Sequence, residues 1–258
     1  ALKVYIFCDI EGISGIAGGC YIDNSRPELL AAARRFMAGD INACVEGCFR
    51  AGADEVVVRD GHGSGFNVTC EMIDPRADLV QGVAPRCRFP GAEGADAMIL
   101  LGYHAMAGAA GAVLEHSYSA AGFQTLRFNG RPVGEIGLDI RIAAEHGIPV
   151  VMVSGDDKAC REAEEWLPGV TTCQVKTGYD THCARLIAPE RAHRLIAERT
   201  TEALRRRTSV RMPELEYPVT LRWELVERHA VPTGPDVTVI DARTYEKSGD
   251  SVEKLLIW

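Results

Sequence analysis

No stretch of this chain is long and apolar enough to span a bilayer as a helix. Its longest uninterrupted apolar runs, such as 97–101 and 148–153, fall far short of the ~20 residues required. Basic charge is also scarce: 28 Lys and Arg stand against 36 Asp and Glu, a net charge of −8. Nucleic acid as the main partner needs a concentrated basic surface and is excluded on that ground. The nine cysteines are an odd set without a CxxC pair, and Cys44 and Cys48 sit four apart in a helical stretch. That pattern excludes a disulfide scaffold. No GxGxxG joins the first strand to its helix, which removes a dinucleotide site. Internal repeats, low-complexity tracts and a basic or hydrophobic leader are missing too. With unpaired thiols, this predicts a cytoplasmic protein.

What remains is an ordinary globular composition, 47% hydrophobic and 25% charged over 258 residues. That length suits one large α/β domain, or a main domain with a smaller companion. Over residues 1–155 strand and helix signals alternate. Val4, Ile6 and Cys8 mark a first strand; 27–51 reads as a long helix opened by Pro27 and closed at Gly52. Three consecutive valines in 55–59 suit a buried parallel strand. Further strands are expected at 78–81, 97–102 and 149–154. Asn129-Gly130 between two apolar segments predicts a hairpin, and 134–146 a helix with Ile136, Ile140 and Ala143 on one stripe. Repeated strand–helix units predict a mostly parallel central sheet flanked by helices. Helices at 158–166 and 189–207 and strands at 219–226 and 237–242 predict a smaller α+β domain over 156–258. The arginines of 191–207 are interspersed with Glu190, Glu198 and Glu202, as on a solvated helix face.

The chemistry concentrates where strands end. The first strand runs into Asp9-Ile10-Glu11-Gly12, the second into Asp60-Gly61-His62-Gly63, and the strand at 97 into Tyr103-His104. In open α/β sheets ligands bind at that edge. Asp9 and Glu11, two apart, would share a face in regular strand, a carboxylate pair needing a counter-ion. Imidazoles beside them favour zinc over magnesium or calcium. Taken singly, each residue reads as a cap, a turn or an exposed loop residue; the convergence points to a metal. His116 follows a Gly/Ala-rich loop at 105–113 and is suited to proton transfer or attack. Glu135 opens a helix, where the macrodipole favours its charge and would also keep it ionised as a ligand.

Five motifs in this order, Asp9-x-Glu11-Gly12, Asp60-Gly61-His62-Gly63, Gly102-Tyr103-His104, Glu115-His116-Ser117 and Gly134-Glu135-Ile136-Gly137, resemble the D-aminopeptidase (DppA-type) family of zinc metallopeptidases. The resemblance covers the first 155 residues. It implies two zinc ions per subunit, with Asp9 bridging, Glu11 and His104 completing one set of ligands and His62 and Glu135 the other. It implies that His116 is catalytic, as nucleophile or general base, and that short peptides lose an N-terminal residue, a D-amino acid such as D-Ala. A homodecamer of two stacked five-membered rings is implied as well. Phe7 stands where the family's motif has Ser, so the shell around the ligands differs. Two rivals are a dinuclear phosphoesterase and a peptide-binding relative without turnover. The intact ligand set and His116 favour the enzyme.

Overall fold

The computed structural model describes residues 1–228 and 231–256. Along the chain come β1 (Lys3–Cys8), α1 (Pro27–Arg50), β2 (Glu55–Asp60), β3 (Asp78–Val80) and β4 (Ala97–Tyr103), then a hairpin of β5 (Phe123–Phe128) and β6 (Arg131–Pro132). They are followed by α2 (Glu135–Glu145), β7 (Val150–Asp156), α3 (Asp157–Trp166), β8 (Thr171–Asp180), β9 (Cys183–Leu186) and α4 (Pro189–Arg205). Last are β10 (Val219–Leu225), β11 (Val237–Val239), β12 (Thr244–Gly249) and α5 (Val252–Leu256).

Seven strands form the main sheet in the order β3-β2-β1-β4-β7-β8-β9, parallel except for the β8–β9 pair. Every residue of β4 and β7 is buried, as expected of parallel strands covered on both faces. The chain steps from β1 outward to β2 on one side and later to β4 on the other. That reversal opens a crevice at the carboxyl ends of β1, β2 and β4, where the polar motifs fall.

The second sheet, β11-β12-β10-β5-β6, is antiparallel. The Asn129-Gly130 turn has φ of +48° and +82°, the two positive values a type I′ hairpin requires. Helix α2 lies in an apolar cluster shared with both sheets: Ile136, Leu138, Ile140 and Ile142 pack with Leu100, Leu126 and Trp223. Apolar residues therefore occur all round it, the pattern of a buried helix. A chain division at residue 155 does not follow the sheets, because β8 and β9 extend the main one and the β5–β6 hairpin joins the small one. On the opposite face, α1 and α4 pack closely enough that Thr201 Oγ1 donates to the Gly47 carbonyl at 3.0 Å.

Candidate metal centre

Backbone contact between the end of β4 and the loop after β1 builds the floor of the site. Asp9 N donates to the Leu101 carbonyl at 2.9 Å, and Gly12 N to the Gly102 carbonyl at 2.8 Å. A Cβ at Gly12 would overlap the Tyr103 carbonyl, and Gly102 adopts φ +70° against the Asp9 carbonyl, so both positions need glycine. This apposition brings Asp9 and Glu11 beside His104. The β2 end is organised differently: buried Asp60 accepts from Asn67 N and Val68 N at 2.6 and 3.1 Å and from Asn67 Nδ2 at 2.8 Å. Asn67 Nδ2 also donates to the His62 carbonyl at 2.8 Å, which fixes the turn that presents the imidazole.

All six expected site residues converge here. Asp9 reaches both imidazoles, Oδ1 to His62 Nδ1 at 3.1 Å and Oδ2 to His104 Nε2 at 3.4 Å. His62 Nδ1 is also 3.1 Å from Glu11 Oε2, and His104 Nε2 is 3.3 Å from Glu135 Oε1. Ligand-type atoms of Asp9, Glu11 and His62 lie within 4.8 Å of one another, and so do those of His104, His116 and Glu135. These proximities group His62 with Glu11 and His104 with Glu135, the reverse of the division implied by the family resemblance; Asp9 is the carboxylate common to both. Glu115 lies outside the cluster and accepts from Gly108 N at 2.6 Å, closing the 105–113 loop.

The donor set fits zinc. Glu11 Oε2 and His104 Nε2 are buried and lack a hydrogen-bond partner, although opposite charges stand 3.1–3.4 Å away. Leaving such atoms dry costs about 1–3 kcal/mol each, so a group that uses their lone pairs is implied. His104 Nδ1 donates to the Ala105 carbonyl at 3.0 Å, which assigns the tautomer and leaves Nε2 as ligand atom. Electrostatics agree. Burial pulls the His62 imidazole down, but Asp9 and Glu11 outweigh it and raise it to about 11. His104 is likewise raised well above the usual range by Asp9 and Glu135 against its burial. Burial raises Asp9 and Glu135, yet the imidazoles win, leaving Asp9 far below its usual value and Glu135 at about 2. The carboxylates of Asp9 and Glu135 and the imidazoles of His62 and His104 thus favour each other's charged forms, and a bound cation would displace the imidazole protons.

His116 occupies strained backbone. Leu114 and Tyr118 on either side have φ of +51° and +61°, a region costing non-glycine residues about 1–2 kcal/mol. His116 Nδ1 donates to the Leu114 carbonyl at 2.8 Å, which turns Nε2 toward the cluster. That atom stands 3.9 Å from Glu11 Oε1 and 3.8 Å from Glu135 Oε1, and the ring stacks on His104 with centroids 3.9 Å apart. The preceding loop is fastened: Asp156, which caps α3, accepts Val113 N at 2.8 Å, and Leu114 N donates to the Thr181 carbonyl at 3.1 Å.

Two supporting groups escaped sequence reasoning, and a third, Phe7, was legible only as a departure from the family's motif. Lys176 of β8 is wholly buried and donates to the carbonyls of Glu11, Ile13 and Ile16 at 2.6, 2.9 and 2.8 Å, stapling the ligand loop. Nothing distinguishes a lone strand lysine in sequence. Asp139 was visible as a charge inside the apolar stripe of α2; it pairs with Arg88, whose loop carries no motif. Phe7 contacts Phe89 and Tyr103 with centroids 5.5 and 5.9 Å apart, and its ring lies where a side chain at Gly61 would stand. Beside these groups opens a cavity of about 410 Å³, lined by Phe7, Gly61, Gly63, Pro85, Arg88 and Tyr118 among others. Gly61 and Gly63, on either side of His62 in the chain, both line it.

The sequence profile of a family described as D-aminopeptidase matches residues 2–258 of this chain. A D-aminopeptidase of Bacillus subtilis (strain 168) is 37% identical over 215 residues, covering 81% of this chain and 76% of the relative. Among solved structures, the Zn-dependent D-aminopeptidase DppA from Bacillus subtilis, described as a self-compartmentalizing protease, aligns with a TM-score of 0.88. Its identity is 30%, and the alignment covers 98% of this chain and 94% of that one.

Proposed function

This chain belongs to the D-aminopeptidase family, and on that premise we propose that the rim of carboxylates and imidazoles is a two-zinc centre removing the N-terminal residue from short peptides or amides. The enzyme is a zinc metallopeptidase of the D-aminopeptidase kind. One observation supports the site above all: five ligand-type side chains converge, four of them buried, and Glu11 Oε2 and His104 Nε2 are left without a hydrogen bond. Asp9, Glu11, His62, His104 and Glu135 hold the ions, with Asp9 shared. When bound, zinc supplies Lewis-acid polarisation of the scissile carbonyl and activates water near neutral pH.

The remaining work falls to the chain itself. His116 Nε2, facing the cluster, accepts a proton from the attacking water and returns it to the departing amine nitrogen. The strained turn and the stacking on His104 hold that ring without freedom to search. Tyr118 N–H, donating to Glu135 Oε1 at 2.8 Å, keeps this carboxylate oriented. Preference for a D-residue such as D-Ala follows the family.

Assembly and location complete the reading. All nine cysteines carry free thiols, in keeping with a cytoplasmic enzyme. No helix among the described residues is long and apolar enough to cross a membrane. We infer a closed homo-oligomer, ten subunits in two stacked rings, that admits short peptides and excludes folded proteins. Light scattering should return ten times the 28.0 kDa chain mass. The activity is tested on protein purified without chelator, measuring zinc by mass spectrometry and D-Ala release from a D-Ala peptide on one sample. About two zinc per chain, with turnover abolished by chelation, is the expected result. Two metals without turnover would overturn the substrate; no metal after reconstitution would overturn the site.

A further inference from the structure

Behind the zinc centre lies an ion pair that the chemistry above does not use. Asp139 stands one turn after Glu135 on α2 and is fully buried. It accepts hydrogen bonds from Arg88 Nε at 2.9 Å and Nη2 at 2.8 Å, a two-pronged grip, and from the Tyr103 hydroxyl at 2.6 Å. The same Nη2 lies 3.4 Å from Glu135 Oε2. The guanidinium carbon of Arg88 sits 4.5 Å from the centroid of the Phe7 ring and 5.4 Å from that of Tyr118. Aromatic faces therefore keep the cation in this corner whatever it pairs with.

Two carboxylates thus compete for one arginine fork. A guanidinium grips a single carboxylate best through two parallel N–H bonds. If Arg88 gave both to Glu135, that carboxylate would face a full positive charge and lose its readiness to ligate a cation. With Asp139 holding Nε and Nη2, the fork is already filled, and only one N–H grazes Glu135. We propose that Asp139 is a positioning residue that restrains Arg88, keeping Glu135 free for zinc, and that this pair sets the affinity of the ion Glu135 holds. The proposal rests on Glu135 being a ligand. It differs from ordinary support of the shell in sign: Arg88 opposes the metal, and Asp139 relieves that opposition.

A double-mutant cycle on the full chain separates the two, with zinc affinity read by competition with a chromogenic chelator and stoichiometry by mass spectrometry. Asp139→Asn should weaken one of the two ions by about tenfold or more, the range seen when partners behind a metal ligand are removed. Arg88→Met should leave that ion as tight as in the wild type, or tighter. The double variant R88M/D139N should return to within about threefold of the wild type, because the released competitor is gone. A structural role for the pair predicts the opposite: both single variants weaken binding, and the double is no better. Unchanged zinc affinity in D139N, a tenfold loss in R88M, or a double variant as weak as D139N would each overturn the proposal. Thermal melts in chelator report folding; should D139N not fold, R88M and the double variant still decide. Failure of the ligand assignment shows elsewhere, as a wild type without a second zinc or as E135Q binding both ions undiminished.

Discussion

Replacing Lys176 by Met removes the staple on the ligand loop while keeping the aliphatic stem. Its ammonium donates to the Glu11, Ile13 and Ile16 carbonyls, and no carboxylate of the described residues lies within ion-pair distance. Burial, only partly offset by Asp156, Asp40 and Glu11, lowers this amine from 10.5 to about 8. The depression corresponds to a burial penalty of about 3 kcal/mol that Met does not carry. Against it stand three hydrogen bonds to a charged donor, each contributing about 1.5–3 kcal/mol. The balance is a loss of about 2–6 kcal/mol in K176M, or about 4–24 °C in melting temperature for a chain of this size. Chelator-treated protein isolates the fold from the metal, and a zinc titration then reads the loosened Glu11. The folded state releases the Lys176 proton at lower pH than the unfolded chain. Wild-type stability should therefore rise relative to the variant between about pH 8 and 10.5. An unchanged melting temperature, unchanged zinc affinity and a flat difference across that window would refute the reasoning.

Further outcomes follow from the same geometry. Glu135→Gln should lower zinc stoichiometry toward one per chain and abolish turnover together, as elemental analysis and peptide release would register. His116→Ala should keep both ions and lose rate by about 10²–10⁴-fold; loss of metal with the rate would recast His116 as a ligand. Removing the metal inverts the pH response. In chelator, the raised imidazoles of His62 and His104 stabilise the fold fully below pH 6.5 and progressively less as pH rises toward about 11 for His62. Unfolding free energies from urea titrations between pH 6.5 and 8 should then fall with pH, by up to about 1.4 kcal/mol per unit for each imidazole. Zinc-loaded protein should not show that fall, because bound ligands are already unprotonated. Gly12→Ala should fail to fold or to bind zinc, since its Cβ has nowhere to go but the Tyr103 carbonyl.

Much of this architecture was legible locally. The helix from Pro27, the valine strand at β2, the hairpin at Asn129-Gly130 and the α2 helix all appear where their residues predict. Each rests on short-range physics: a proline-initiated first turn, β-branched runs, and a dipeptide tolerant of positive φ. Strands β8 and β12 were not anticipated. Thr171–Asp180 and Thr244–Gly249 carry mixed polar sequences, and they become strands by pairing with β7 and β10. Their conformation is stabilised by partners far away in the chain, which no local signal encodes.

The site divides in the same way. Which side chains could ligate was written in the residue types and in their position after apolar strands, because unpaired charges cannot lie inside a strand and must emerge at its end. The five motifs nominated six candidate residues without a coordinate. How those residues meet depends on the order of strands: only when β4 lies beside β1 does Gly102 touch the Asp9 backbone and bring His104 within 3.4 Å of Asp9. The groups that hold the cluster, Lys176 at 160 to 165 residues' separation from its carbonyls and Arg88 at 51 from Asp139, exist only through the fold. Sequence determines the chemistry each residue can perform, since that resides in its own atoms. Tertiary structure decides which atoms share one volume of low dielectric, and with it their charge states, their orientation and the ions they hold.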